Sequence, residues 1–432
     1  MTTHPIEREK LTPYVPSVCF RGEELTAEKH TFAGTHRSIP PEETLRRIRP
    51  CFPRAGITRL ANITGLDRIG IPVTLAVRPN GRTLSTNAGK GLTLENALVS
   101  GAMEALELHH AEVEWRPNAV RRSYRDIRTE YAVPPVEELP LAKSAPFPRD
   151  WPFVWTTGWD LLGQEEVALP VSMIHMGNRT ERVHDLHAFQ ITSSGLASGN
   201  NLLEAVHAGL LEVVERDAAT CHKERWSVQR VPPPVVDPAS IPYASVRELL
   251  DRLDHAEIAV VVFDCTVDTG VPVYMADIFD RSHLVPGTFR GYGAHLDPEI
   301  ALSRALTEAV QARTVSIAGS RDDLYRHRDV HRRTERDHRR MEALNSGGAP
   351  FAPAPLPSTG TSTFQGDVRL LMERVAAAGL RRIVVVDLSS PLYPVSVVKV
   401  VVPGMEGYRM ESYAPMERAT RFARSRSGSG AS

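Results

Sequence analysis

The chain repeats itself, and the repeat limits what it can fold into. Three segments align without gaps on one anchor alanine: GKGLTLENALVSGAMEALE from Gly89, GNNLLEAVHAGLLEVVERDA from Gly199 and GAHLDPEIALSRALTEAVQAR from Gly293. In each, a glutamate (Glu95, Glu204 or Glu299) stands one or two residues before the anchor (Ala97, Ala205 or Ala301), and another (Glu104, Glu212 or Glu308) stands seven after it. Three residues further comes Glu107, Glu215 or Gln311. Residues i and i+3 of an α-helix differ by about 60° in azimuth, so each pair projects from one face. The spacing predicts three glycine-turn and helix units, each bringing two oxygen ligands to a common point.

The helical angle also places Asn200, Glu204, Glu212 and Glu215 in one broad stripe, and Arg304, Glu308 and Gln311 within about 40° of one another. A lone Glu-x-x-Glu is usually a solvated helix face, and a lone GKG an ordinary turn. Here the flanking residues are small or apolar (Ala102, Met103, Ala105; Leu210, Leu211, Val213, Val214; Ala309, Val310), so each polar stripe is narrow and faces a lined cleft. Many carboxylates pooled in one cleft repel unless cations occupy it. Oxygen ligands with no His or Cys partner suit Mg²⁺, and magnesium points to phosphates. Lys90, Arg216 and Arg304 supply positive charge for phosphate oxygens, and glycine turns at helix N-termini offer N–H groups to anions.

Other chemistries are excluded. No GxSxG, HExxH or GxxxxGK[ST] occurs, so the site is neither an esterase elbow nor a P-loop. With 51 basic against 52 acidic side chains the chain has no field for nucleic acid or an anionic membrane. Cys19, Cys51, Cys221 and Cys265 are scattered, as free thiols in a reducing cytoplasm would be. No apolar run reaches the roughly 18 to 20 residues of a membrane span. His109 and His110 read as exposed helix-end residues interacting with the dipole, and Asp67 as either a loop-orienting or a turn-capping residue.

Along the chain, residues 1–24 are expected to form a flexible arm, 25–410 the catalytic body and 411–432 a flexible tail. PPEETLRRI reads as a helix, and Gly70 to Val77 and Thr83 to Asn87 as strands around the Pro79-Asn80-Gly81 turn. Ile258 to Cys265, Val271 to Ile278, Ile383 to Asp387 and Val395 to Val402 read as further strands, and Asp367 to Ala378 as a helix. The charge-dense piece between Ser320 and Leu344 interleaves its signs and reads as a solvated helix, and 345–363 as a loop. Strands alternating with helices indicate a mixed α/β protein.

With these residues on the page, GITRLANITGLDRIGIPV, STNAGKG, SGAMEALE, ASGNNLLEAVHAGLLEVVERDA, GAHLDPEIALSRALTEAVQAR and the ending VVVPGMEGY together resemble the YcaO family, over roughly Gly34 to Tyr408. The resemblance implies an α+β fold of mixed sheets flanked by helices, with an ATP site built from the three turn-helix units. It implies ATP and Mg²⁺ as cofactors. Glu104, Glu107, Glu204, Glu212 and Glu215 match the metal-binding carboxylates or their neighbours. Asn200, Arg216, Arg304, Glu308 and Gln311 match residues around the nucleotide, as do Lys90 and Ser85 in STNAGKG. The family's N-terminal contacts match around Thr35, Arg37 and Thr44.

The implied reaction adds a nucleophile to a peptide carbonyl, transfers phosphate from ATP to the amide oxygen and then expels it. Glu104, Glu107, Glu212, Glu215 and Arg216 are the residues expected to carry it. Azoline-forming members end in a proline-rich PxPxP tail, whereas this chain ends RFARSRSGSGAS. Its GTHR segment and GITRLANITGLDRIGIPV opening look more like the members paired with a TfuA protein, which make thioamides. The expected partners are a precursor peptide, a TfuA-like protein, a sulfur donor and a second copy of the chain, with no nucleic acid and no membrane.

Overall fold

The computed structural model describes residues 15–143, 145–177, 185–282, 284–320, 347–352, 361–408 and 413–425. Two short hairpins open it: β1 (Cys19–Phe20) with β2 (Glu23–Glu24), and β3 (His30–Phe32) with β4 (Thr35–Arg37). After α1 (Pro41–Ile48), a three-stranded sheet forms in the order β5 (Arg59–Asn62), β6 (Val73–Val77), β7 (Thr86–Lys90), and α2 (Leu94–His109) packs on it.

The largest sheet runs β10 (Glu165–Pro170), β9 (Phe153–Asp160), β16 (Val384–Asp387), β17 (Ser396–Val401), β11 (Leu196–Gly199), with β8 (Val120–Arg122) beside the start of β9. Short helices α3 (Tyr124–Glu130) and α4 (Val171–Ile174) border it, and α5 (Leu202–Gln229) lies across β11 and β17. A third sheet is ordered β12 (Val235–Val236), β13 (Ile258–Asp264), β14 (Val273–Asp280), β15 (Thr288–Ala294), with α6 (Ala244–His255) and α7 (Pro298–Ala318) packed against it. The helices α8 (Phe364–Ala377) and α9 (Glu417–Arg424) lie against α5. Every pairing between neighbouring strands of these sheets is antiparallel, so the architecture is α+β.

The apolar strands are buried on both faces. Alternate residues of β13 enter two different cores: Ala259, Val261 and Phe263 join one with α5 and α8, while Ile258, Val260 and Val262 join another with α6 and α7. This explains why IAVVVFD is continuously apolar rather than alternating.

The sequence repeats become three copies of one unit. β7, β11 and β15 are each the terminal strand of a different sheet, and each turns directly into α2, α5 or α7. Thr93, Asn201 and Asp297 cap the three helices by accepting from the N–H of Asn96, Glu204 and Glu299. The anchors Ala97, Ala205 and Ala301 are completely buried, because strand backbone crosses over them. A Cβ on Gly89 would lie 2.0 Å from the Ala97 carbonyl oxygen, and one on Gly293 2.1 Å from that of Ala301. Small residues on both sides let strand and helix touch, which aims the carboxylates a turn or more further along.

Several expectations are corrected. Residues 15–24 are not a free arm: Val15 and Val18 are buried in the core with α5. Part of the segment beyond 411 is likewise held, since Arg418 on α9 inserts beside buried Asp217 at 2.8 Å. A cluster of charges and a Ser-Gly ending hid the helix. His109 and His110 are buried, because the chain continues from α2 as a π-helical turn (His110–Glu114) under Tyr393. His109 Nε2 meets the Tyr393 hydroxyl at 2.8 Å and His110 Nδ1 donates to the Leu106 carbonyl at 2.7 Å. Asp67 is a structural partner, accepting from Arg313 Nε at 2.9 Å in a buried pair. β7 begins three residues later than expected. Residues 347–352 run beside β12, with Asp237 N–H donating to Ala349 at 2.7 Å. The charge-dense stretch lies outside the described residues except at Ser320.

Candidate active site

The three helices bring Glu104, Glu107, Glu212, Glu215 and Glu308 into one electrostatically connected row. Glu107 on α2 is held by the first residues of the second unit: Ser198 donates to it through N–H at 2.8 Å and hydroxyl at 2.6 Å. Its carboxyl is pushed up to about 8, first by burial and then by the charges of Glu104 and Glu212, with the Ser198 bonds opposing. Glu212 and Glu215 on α5 are also raised by burial, which Arg216 only partly offsets. Glu215 accepts from the Ala294 N–H of the third unit at 3.1 Å.

Arg216 sits 3.7 Å from Glu212 and 3.5 Å from Glu215. Burial works against its charge, but Glu215, Glu212 and Glu308 more than compensate, so it is held cationic. The ring of Tyr408 covers its guanidinium at 5.3 Å. Glu308 on α7 receives Lys90 at 2.5 Å and the Tyr292 N–H at 3.2 Å. Burial acts to raise its carboxyl, yet Lys90 and Arg216 outweigh this and lower it. The row therefore joins acids from three helices to two bases, Arg216 on α5 and Lys90 at the end of β7.

Beside the Lys90 end opens a pocket lined by Thr35, Arg37, Thr44, Lys90, Ser100 and Arg304, among others. The hairpin β3–β4 and α1 form its near wall, which is why the matches around Thr35, Arg37 and Thr44 converge with the third helix. Glu204 anchors this wall: it accepts from Ser38 N–H and hydroxyl at 3.1 and 2.7 Å and from Asn200 at 3.1 Å, and lies 3.5 Å from Arg37. Asn200 in turn accepts from Thr44 at 3.0 Å. Asn200 precedes the cap of α5 rather than riding on the helix, and Glu204 is engaged at the pocket wall instead of within the acid row.

Ser85 and Gln311 are not among the residues that line this pocket. Ser85 stands just before β7, where its carbonyl accepts from Arg78 N–H at 2.7 Å. Gln311 is half-buried on α7, one turn beyond Glu308. In the other direction, Lys399 on β17 was not anticipated. It is only 2% exposed, donates through Nζ to the Thr192 carbonyl, and has its ammonium lowered to about 8 by burial against the opposing pull of Glu212. A lysine inside the valine run SVVKVV was the available signal, since charge in a buried strand demands a partner. Ser38, Ser198 and Tyr408 gave no comparable sign.

The residues fit a magnesium nucleotide. Arg304 Nε and Ser303 Oγ, both at the pocket, are buried without a hydrogen-bond partner, as donors awaiting anionic and hydroxyl oxygens would be. Among the described residues no three His, Cys, Asp or Glu side chains stand close enough to cage an ion. Mg²⁺ does not need a cage: it takes one or two carboxylates, keeps waters and completes its shell with phosphate oxygens. A spread acid row beside a basic pocket is suited to that ion.

An α+β frame whose three strand-helix units converge on such a row defines a protein that binds ATP and Mg²⁺ outside the P-loop class. The chain belongs to the YcaO family, whose model, described as YcaO cyclodehydratase, ATP- and Mg²⁺-binding, matches residues 88–406. It is 36% identical over 383 residues to an uncharacterized protein in the tfuA 3′ region of Rhizobium leguminosarum bv. trifolii, covering 86% of this chain and 88% of that one. Among solved structures, YcaO from Methanopyrus kandleri bound with AMPPCP and Mg²⁺ is similar with a TM-score of 0.68 and 27% identity, over 88% of this chain and 95% of that one. A heterocyclase in complex with substrate and cofactor shares the fold at a TM-score of 0.71 and 22% identity, and this chain, 89% of it matched, spans 54% of that protein's length. No helix among the described residues is long and apolar enough to cross a membrane.

Proposed function

We propose that this protein activates backbone amides of a ribosomally made peptide by ATP-dependent phosphorylation and, with a TfuA-like partner and a sulfur donor, converts them to thioamides. The single observation that supports amide activation best is the convergence of Glu104, Glu107, Glu212, Glu215 and Glu308 with Arg216 and Arg304 from three helices and Lys90 from the end of β7. When bound, Mg²⁺-ATP supplies the transferable phosphoryl group and its charge neutralisation. This chain's part is placement. Lys90 and Arg304 hold phosphate oxygens at the pocket side, and Glu104, Glu107, Glu212 and Glu215 hold the metal. Arg216, kept charged by its acids and covered by Tyr408, neutralises negative charge at the centre of the row. In phosphoryl transfer such positioning and charge stabilisation account for most of the catalysis.

The likeness to a protein in the tfuA 3′ region favours sulfur as the nucleophile and a TfuA-like protein as partner. The test is mass spectrometry of precursor peptide incubated with the protein, ATP, Mg²⁺, sulfide and the TfuA-like protein. Exchange of one oxygen for sulfur is the expected result. Loss of one water would instead establish azoline or amidine ring closure, the family's other chemistry. An unmodified peptide together with no peptide-dependent phosphate release would overturn both and leave an accessory role in a sulfur-transfer pathway.

A further inference from the structure

Away from the acid row, the largest sheet has a gap that no strand among the described residues fills. In the β9–β10 pair Thr157 is opposite Ala168, whose N–H turns outward to the Ala132 carbonyl at 2.9 Å. Antiparallel neighbours alternate between pairs that exchange both hydrogen bonds and pairs that exchange none, so Thr157 N–H and C=O point away from β10. On that side Trp155 is opposite Val120 of β8 and Trp159 is opposite Val385 of β16, but Thr157 between them is opposite neither strand. Past Val385, β16 follows only β17, with Asp387 opposite Val398. Leu388 N–H donates to the Val397 carbonyl at 2.8 Å. By the same alternation, Asp387 N–H and C=O turn away from β17 and face the gap from its other bank.

A cavity of about 390 Å³ opens at this gap, within the roughly 300 to 1,000 Å³ of ligand sites. Thr156, Thr157, Val386 and Asp387 all line it. Successive side chains of a strand point to opposite faces, so the cavity is a slot cut between strands and not a dimple on one face. Its lining is apolar at Ile127, Trp155 and Ala168, all completely buried. On the rim Arg21 and Glu166 offset each other at 3.8 Å. The exposed Asp387 carboxylate accepts the Ser389 N–H at 2.9 Å, has no ion pair among the described residues and leaves the rim net negative. Free backbone edges beside an apolar lining are what an added strand meets in β-augmentation. We propose that the slot holds an extended segment of the substrate peptide, which bonds to Thr157 N–H and C=O, buries an apolar side chain against Trp155 and sets a basic side chain beside Asp387. That the occupant is the substrate rests on the amide-activation reading above. The site is one of recognition, apart from the chemistry: Asp387 is opposite Val398, which is opposite Ala197, the neighbour of the serine that grips Glu107. Two strand spacings, about 10 Å, separate them.

The full-length chain is tested with a synthetic library of short random peptides. Bound peptides are recovered by size exclusion, identified by mass spectrometry and titrated by fluorescence anisotropy. The enriched sequences are expected to combine an apolar residue with Lys or Arg. Thr157→Pro removes the donor and puts a ring into the slot while sparing the β10 ladder, because that N–H points away from β10. It is expected to weaken the enriched peptides about tenfold. If the proline variant does not fold, Asp387→Lys on the exposed rim must weaken them and turn the enrichment toward Asp and Glu. Either variant keeps its AMPPCP affinity within about twofold and raises KM for peptide-dependent phosphate release without lowering kcat. No enriched peptide, enriched peptides that bind the folded variants as tightly as wild type, or a KM that neither substitution moves overturns the slot assignment and leaves amide activation standing. A wild-type dimer that Thr157→Pro makes monomeric overturns it in favour of a second copy of the chain. Slot-dependent binding without peptide-dependent phosphate release by wild type overturns amide activation, and the substrate as occupant with it.

Discussion

At the scale of single residues, the site is governed by carboxylates that burial pushes toward protonation. Glu107, raised to about 8, holds a proton that the unfolded chain has lost, so between the ordinary carboxylate range and about pH 8 it makes stability fall as pH rises. Glu107→Gln removes that component. Relative to wild type, the ligand-free variant gains stability from about pH 5 to about pH 8, on the order of 4 kcal/mol at about 1.4 kcal/mol per pKa unit. Urea midpoints of both proteins across that range check it, and a constant difference would contradict it. The same substitution abolishes ATP turnover. Lys90→Met leaves Glu308 without its 2.5 Å partner and removes the nucleotide-induced rise in melting temperature. In wild type, AMPPCP with Mg²⁺ at about 100 times Kd stabilises by about 2.7 kcal/mol. The spacing of these glutamates was legible in the sequence, whereas the bonds that Ser38 and Ser198 make to Glu204 and Glu107 were not, because each joins residues about 90 or more apart in the chain.

At the scale of elements, the unit that matters is an edge strand packed on the anchor alanine of the helix that follows it. Gly293→Val puts side-chain atoms into the Ala301 carbonyl and the Ala305 N–H, 2.1 and 2.7 Å from the new Cβ. Overpacking of this kind costs about 1 to 3 kcal/mol, and it tilts α7 so that Glu308 and Arg304 lose register with α2 and α5. The expected result is a lowered urea midpoint with a disproportionate loss of AMPPCP binding. An equal loss in a surface variant of matched stability would rule out the register argument. The repeat exposed these helices, but not that the strand before each would end a separate sheet. That depends on which strands pair, and pairing is decided by contacts between distant segments.

At the scale of the whole molecule, the last described helix locks α5 from behind the site. Arg418 donates to Asp217 at 2.8 and 2.9 Å and also meets Asp268, while Glu406 accepts from Ala419 N–H at 2.7 Å. Asp217 is raised to about 6 by burial even with Arg418 present. Arg418→Ala strands that carboxylate, and breaking one side of a buried pair costs about 3 to 5 kcal/mol. Because Asp217 follows Arg216 directly, the variant is expected to lose thermal stability and to weaken ATP turnover together, in calorimetry and phosphate release. Asp217→Asn in the same background should restore part of the stability.

By itself the sequence determined the periodic and local features: three helices that follow glycine turns, their paired polar residues, the apolar strands and the absence of competing motifs. Helical azimuth and capping depend on residues a few positions apart, so they are readable one segment at a time. The tertiary structure decided which end of the acid row meets the basic pocket and that Glu204 secures the pocket wall. It also buried His109, His110, Val15 and Lys399. Those outcomes depend on burial and long-range pairing, where a side chain's surroundings come from segments hundreds of residues away.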